Sequence, residues 1–546
     1  MTETPEPVET APAPAPEGAA AASGAPAAAP AVELSPAAEA VRDAYAFEGA
    51  RIHLGALMEG EEPNPAAPVN LSLAMLNRHG LIAGATGTGK TKTLQVIAEQ
   101  VAAAGTPVFV ADMKGDLSGI AVPGADSPKI RERAAARGQQ WQPRAGATEF
   151  YSLGGQGTGV PIRTTVSDFG PLLLSKVLQL NETQESSLAL IFHYADTHGL
   201  GLLDLKDLRA LIQFLTSDDE GKKELKSIGG ISSATAGVIL RELTAFEASG
   251  ADAFFGEPAF DTKHLLRRTP DGAGIISCLE LPAVAERPAL FSTFMMWLLA
   301  DLYQDLPEVG DAEKPELVFF FDEAHLLFAD ASKDFLQQVV QTVRLIRSKG
   351  VGVFFITQTP KDVPADVLAQ LGNRVQHALR AFTPDDQKAL NATVRTFPKS
   401  GYDLEELLTT LGTGEAVVTV LSEKGAPTPV AWTRMLAPTS KMAPASEETM
   451  DRVIGASALA SKYSEAVDRE SAYERLQNKF AQAPAESDNA EEKPKAAPKE
   501  AAKPKEEPGM VSQVVRSSAF KSFMRSAGTQ IGREITRSLF GTGRRR

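Results

Sequence analysis

The chain has 546 residues, 43% of them hydrophobic and 23% charged, and a formal net charge of -14. That is enough apolar material for a large mixed core and enough length for two to four domains, but it excludes the whole-molecule positive field that usually holds nucleic acid, so any DNA contact must be local. A single cysteine, Cys278, excludes a disulfide framework and a cysteine-rich zinc site and fits a reducing compartment; in its apolar surroundings it is expected to be a buried thiol rather than a nucleophile.

Residues 1–35 are nearly all Ala, Pro, Glu and Gly, which cannot bury enough apolar surface to offset the entropy of ordering, so a disordered leader is expected. It has neither the basic nor the apolar region of a secretion signal. From residue 36 onward, short apolar runs at 81–83, 108–110, 274–279, 317–321 and 353–356 alternate with helical patterns. Runs that are apolar along their whole length suit parallel strands covered on both faces, which predicts an α/β fold with a parallel sheet, its first part at 36–165 and its second at 262–440. Between them, 166–261 is leucine-rich, with helical patterns at 172–180, 187–196, 205–214 and 233–246, and is predicted to be a helical insertion. The most apolar stretch, 290–300, is broken by Ser292 and Thr293 and is far short of the roughly 20 residues that span a bilayer. It predicts a buried helix in a cytoplasmic protein with no integral membrane association. Residues 416–421 and 430–435 flank Gly425-Ala426-Pro427 as a closing hairpin. A helical segment at 441–481, a second disordered stretch at 482–508 and a basic tail at 509–546 complete the chain. In the tail, Arg516, Lys521, Arg525, Arg533, Arg537 and Arg544 to Arg546 face the single acid Glu534. Apolar residues recur there at helical spacing, for packing on another subunit, DNA phosphates or an anionic membrane surface.

Four of the strands carry candidate chemistry at their ends. The run 81–83 leads into Gly84, Ala85, Thr86, Gly87, Thr88, Gly89, Lys90 and Thr91, followed by a helical pattern. In such a loop the glycines let backbone N–H groups turn around phosphate oxygens and the helix adds its positive end. Lys90 is expected to contact the β and γ phosphates of ATP, and the Thr91 hydroxyl to bind Mg²⁺. The run 317–321 ends in Asp322 and Glu323, predicted to hold the Mg²⁺ water shell and to act as general base on the attacking water. Gln358, after the run 353–356, is placed to sense the γ-phosphate. Asp112 and Asp116 end the second strand and are expected beside the phosphate loop, either assisting metal and water or capping their own turn.

The segments 84–91, 322–325 (Asp-Glu-Ala-His) and Thr357-Gln358 resemble the HerA/FtsK group of P-loop ATPases. The segments 77–82, 112–117 and 254–258 are similar to its YjgR-like bacterial branch. The resemblance implies a RecA-like core that forms a homohexameric ring, with ATP sites between subunits and an arginine donated by the neighbour. It also implies, in better-understood relatives, a motor on duplex DNA. Arg347 and Arg374 are the candidates for the donated arginine. The N-terminal β-barrel of HerA proteins is expected to be absent, since about 45 residues lie between the leader and the loop. That leaves a second reading, an ATP-switched assembly factor with a protein partner. Apart from Lys90, the sequence offers no obvious cation from the same chain at the catalytic site.

Overall fold

The computed structural model describes residues 34–310, 312–328 and 333–482. The leader up to residue 33, the second low-complexity stretch from 483 and the basic tail lie outside the described residues.

Twelve strands form one sheet: β1 (Arg51–Glu59), β2 (Glu62–Ser72), β3 (Gly80–Ala83), β4 (Val108–Asp112), β5 (Thr148–Leu153), β6 (Val160–Ile162), β7 (Ile276–Glu280), β8 (Leu317–Phe321), β9 (Val351–Thr357), β10 (Asn373–Gln376), β11 (Glu415–Thr419) and β12 (Ala431–Met435). Their order is β2-β1-β12-β11-β10-β3-β9-β8-β4-β7-β5-β6. The strands from β10 to β6 are mutually parallel, and β11, β12, β1 and β2 extend that sheet antiparallel. The hairpin expected near the end of the chain is β11 and β12, which pair antiparallel. Strands β1 and β2 were not expected from the sequence. They form a hairpin on the edge of the main sheet, next to β12.

The apolar runs make parallel strands because both of their faces are covered. Leu81, Ala83, Phe109, Ala111, Phe319, Phe321, Val353 and Phe355 share one core with the helices of segment 166–261. Their neighbours along the same strands, Ile82, Val108, Val110, Val318, Phe320, Phe354 and Ile356, share the other with α1 (Pro36–Ala44), α2 (Lys90–Ala103) and the β1–β2 hairpin. This is the period-two alternation of a strand with apolar residues at both phases. Each buried Phe contributes about 1.5–3 kcal/mol through the area it removes from water.

After α3 (Pro128–Ala135), the helices of the leucine-rich segment are α4 (Val166–Val177), α5 (Glu182–Thr197), α6 (Leu205–Ser217), α7 (Asp219–Ser227) and α8 (Ser233–Ala248). Reciprocal capping boxes start α5 (Asn181 with Gln184) and α6 (Asp204 with Asp207), each satisfying two backbone donors that a helix start leaves open. These helices lie between β6 and β7 in the chain and pack on one face of the sheet as part of its core. They account for much of the chain between the phosphate loop and Asp322. The apolar stretch at 290–300 lies within α9 (Pro288–Asp305), where Leu290 and Leu298 are fully buried. Among the described residues, no helix is long and apolar enough to cross a membrane. After β8 come α10 (His325–Phe328) and α11 (Lys333–Ile346).

Candidate functional site

Strands β3, β9 and β8 are consecutive in the sheet and parallel, so their C-terminal ends lie side by side. Those ends carry the phosphate loop, Gln358 and the Asp322–Glu323 pair. In an open α/β sheet this edge is where ligands bind.

The loop at 84–89 is suspended from three neighbours. Gly84 N–H donates to Thr357 O at 3.2 Å, Ala85 N–H donates to Ala378 O at 2.8 Å, and Thr88 O accepts from Gly414 N–H at 3.0 Å. Gly84 has no room for a side chain, since a Cβ there would lie 2.5 Å from the Cβ of His377. Gly87 takes a left-handed φ of 79° at the exposed tip. Gly89 caps α2 without any side-chain acceptor, so the first-turn N–H groups and the positive helix end are left for an anion. Lys90 opens α2, is buried, and donates from Nζ to Gly84 O at 2.6 Å and Ala85 O at 3.2 Å. Burial pulls its pKa down, against the opposing pull of Glu323 and Asp322. Thr91 follows it, half-buried.

His377 is a site residue that the sequence reading missed. It is fully buried directly after β10, with Nε2 2.9 Å from Thr93 Oγ1 on α2 and Nδ1 2.8 Å from Glu415 O on β11. It therefore braces the underside of the loop. Burial pushes its pKa down to about 4, so the ring is neutral at physiological pH. A lone histidine after a polar segment carries no motif by which sequence could have singled it out.

The turn after β8 is pinned to both neighbouring strands: Asp322 N–H donates to Ala111 O at 3.2 Å and Ala324 N–H donates to Ile356 O at 2.8 Å. Between them Glu323 has a left-handed φ of 47°, a conformation that a non-glycine residue adopts only when its surroundings impose it. Burial, and then the charges of Glu323, Asp112 and Asp116, push Asp322 up to about 7. Burial also works to raise Glu323, but the hydrogen bond and charge of Lys114 outweigh it and hold that carboxylate below its usual range. Lys114 Nζ donates to Glu323 Oε1, and His325 Nδ1 lies 3.2 Å from the other oxygen, Oε2, without making a hydrogen bond.

Asp112 and Asp116 reach the phosphate-loop side of the sheet, where the charge of Asp116 acts on Lys90 and those of both acids act on Lys92, but they do so from a strand that is not next to β3. Strand β4 lies beyond β8, three positions from β3, so these acids stand beside Asp322. The parallel-strand argument was sound, but sequence does not say which strand is whose neighbour. Asp112 accepts from Lys114 N–H at 3.1 Å, Gly115 N–H at 2.8 Å and Leu117 N–H at 2.8 Å, so it braces its own turn. Asp112, Asp116 and Asp322 place one carboxylate oxygen each within 4.8 Å of one another, and Asp116 Oδ1 is buried without a hydrogen-bond partner. This oxygen-rich set beside a glycine cradle suits a hard cation such as Mg²⁺ with a triphosphate.

Gln358 is exposed at the end of β9, and its turn is braced by Asp362, which accepts from Thr357 Oγ1 at 2.8 Å and Thr359 N–H at 3.1 Å. Neither candidate arginine reaches this edge in its own chain. Arg347 is exposed four residues before β9, at the end of that strand opposite Gln358. Arg374 pairs in register with Leu81 and donates from Nη1 to Thr396 Oγ1 at 2.6 Å. Lys114, in the 112–117 segment, adds a same-chain cation beside the acidic pair, where it is engaged with Glu323. Cys278 is buried, and burial followed by the charge of Glu280 raises its thiol pKa well above normal, as befits a structural residue.

The helicase HerA-like C-terminal family model matches residues 58–546. The chain belongs to that family. The glycine-rich loop at 84–91 and the mostly parallel α/β sheet are in keeping with that membership. Among curated relatives, this HerA-like chain is 32% identical over 121 residues to a probable helicase of Methanocaldococcus jannaschii, a match covering 22% of each chain. It is 21% identical over 363 residues to the DNA double-strand break repair helicase HerA of Sulfolobus acidocaldarius, covering 64% of each. It therefore spans less than two thirds of the length of either relative. Among solved structures, the bacterial conjugative coupling protein TrwBdeltaN70 shares the fold with a TM-score of 0.50 at 14% identity, covering 75% of this chain and 94% of that one.

Proposed function

We propose that this HerA-like chain hydrolyses ATP with Mg²⁺ and uses the turnover to move along or remodel duplex DNA, working in a homohexameric ring. The observation that carries the ATPase reading is the convergence of the loop at 84–91, Gln358 and the Asp322–Glu323 pair on one sheet edge. In the reaction the water oxygen bonds to the terminal phosphorus as the bond to the ADP oxygen breaks, and the water proton passes to Glu323. Lys90 and the open N–H groups of α2 hold the phosphates; Gln358 orients the water. Thr91 and Asp322 would hold Mg²⁺, with Asp116 near enough to assist, and the ion would neutralise charge on the transferring group. Of the two candidate arginines we favour Arg347 for a neighbour's site, a choice supported by its exposure away from its own loop and by the bond of Arg374 to Thr396.

The DNA half of the proposal is supported by family membership and by the HerA relative's description as a DNA repair helicase. It is tested by ATP turnover at low salt with and without duplex DNA. Stimulation by DNA is expected; hydrolysis indifferent to DNA would remove the motor and leave the ATPase. The net charge of -14 favours the alternative of an ATP-switched protein assembly factor. In that case a Glu323→Gln variant trapped with ATP should retain one stoichiometric protein partner, and no nucleic acid, after nuclease treatment.

A further inference from the structure

Lys114 lies in the 112–117 segment with no role of its own in the proposed mechanism, yet it holds the residue on which hydrolysis turns. It lies in the turn after β4, which the buried Asp112 carboxylate fixes through three backbone N–H groups. Because β4 and β8 are adjacent and parallel, that turn sits beside the Asp322–Glu323 turn. The lysine reaches across from a half-exposed position, with 49% of its side chain accessible, to a carboxylate that is 5% accessible. The two ends of this contact are thus both anchored, one by the Asp112 brace and the other by the strand bonds of Asp322 and Ala324.

The two oxygens of Glu323 are in different states. Oε1 accepts from Lys114, while Oε2 is buried and makes no hydrogen bond, with His325 Nδ1 3.2 Å away as its polar neighbour. A general base needs this asymmetry, with one oxygen held in place and the other free to take a proton. Glu323 also stands in an anionic setting, with Asp322 next to it and Asp112 and Asp116 beside that residue. A carboxylate left to itself there would be driven away from its neighbours, and the lysine counters that force with a charge-assisted hydrogen bond. Lys90 adds its charge to this balance but makes no hydrogen bond to Glu323, since its Nζ is bonded to Gly84 O and Ala85 O.

We propose that Lys114 is the positioning residue for Glu323, fixing Oε1 so that Oε2 is presented to the attacking water. The proposal rests on Glu323 being the base. Lys114 then governs the chemical step and has little part in holding ATP.

The test is steady-state ATP hydrolysis by the full-length protein, together with binding of a fluorescent ATP analogue. The variants are Lys114→Met, Lys114→Gln, Lys114→Arg, Glu323→Gln and the Lys114→Met/Glu323→Gln double. Lys114→Met should lower kcat by about 10- to 100-fold while KM and analogue binding stay within about threefold of wild type. Lys114→Arg, which keeps charge and donors, should recover much of the rate. In the Glu323→Gln background the Lys114→Met change should cost nothing further, because the two residues act as a unit. Should Lys114→Met fail to bind the analogue through misfolding, Lys114→Gln takes its place with the same expected split. An inactive Glu323→Gln beside a Lys114 variant of normal kcat would overturn the proposal and spare the base. A raised KM with unchanged kcat would overturn it in favour of a nucleotide contact. Full activity in Glu323→Gln would overturn the base assignment itself, and this proposal with it.

Discussion

Gly84→Ala tests whether the loop at 84–91 is held in its shape from below. The new Cβ would stand 2.5 Å from His377 Cβ and 3.0 Å from Thr88 Oγ1, where ordinary carbon contacts are about 3.5–4.0 Å. Something must therefore yield by about 1 Å. His377 cannot do so cheaply: it is fully buried, its backbone N–H donates to Ala83 O at 2.7 Å, and its ring is tied to Thr93 and to Glu415 O. The loop moves instead. Overpacking of this kind costs about 1–3 kcal/mol. If that cost falls wholly on the phosphate-binding conformation, ATP affinity drops about 5- to 150-fold. Fluorescence anisotropy of a labelled ATP analogue reads the loss, and thermal unfolding shows whether the rest of the chain is intact. The decisive variant is His377→Gly, which removes the opposing Cβ. Gly84→Ala should cost less affinity in that background than in wild type, the remainder being the strain of a φ of 154° that glycine alone holds freely, whatever His377→Gly costs alone. An unchanged affinity in Gly84→Ala, or a double variant whose losses simply add, would refute the clash.

Three further outcomes follow from other parts of the site. Burial, and then the charge of Asp112, push Glu280 up to about 8 from an ordinary 4.5. Its stabilising contribution is therefore complete below about pH 4.5 and lost as pH rises through 8, by on the order of a few kcal/mol. In EDTA and without nucleotide, Glu280→Gln should show a flatter fall in Tm than wild type between pH 5 and 8.5; parallel curves would contradict the assignment. Asp322→Asn should raise the Mg²⁺ concentration needed for half-maximal hydrolysis while analogue binding persists in EDTA, and an unaltered Mg²⁺ requirement would remove Asp322 from the metal site. Arg347→Ala should lower kcat by roughly 10³-fold or more with nucleotide binding nearly intact. Mixing it with inactive Lys90→Ala subunits should restore some turnover, whereas full activity in Arg347→Ala, or a monomer at micromolar concentration with ATP, would remove the shared site.

The chemistry of the site was legible in the sequence where a strand is a pure apolar run that ends in its functional residue, as β3, β8 and β9 do. What sequence missed has physical reasons. Strand β10 lies next to β3 in the middle of the sheet, yet it reads Asn-Arg-Val-Gln. Its polar side chains are satisfied internally: Asn373 Nδ2 donates to Met75 O and His79 O, and Gln376 Nε2 donates to His377 O. A search for apolar runs passes over such a strand, and with it His377. Strands β1 and β2 were missed because β2 carries three prolines, at 63, 65 and 68, which mark edge positions rather than a sheet interior. Lys114 was missed because its partner is 209 residues away in the chain; the contact exists only once β4 and β8 are neighbours, which no local pattern records.

The central claim is that the edge formed by β3, β9 and β8 hydrolyses ATP with Mg²⁺, and the most direct measurement is phosphate release by wild type, Lys90→Ala and Glu323→Gln under identical conditions. Wild type should turn over ATP in a Mg²⁺-dependent manner. Glu323→Gln should bind the nucleotide yet release phosphate about 10²- to 10⁴-fold more slowly, and Lys90→Ala should fail at the phosphate contact. Equal rates in all three, or hydrolysis that persists without Mg²⁺, would contradict the account.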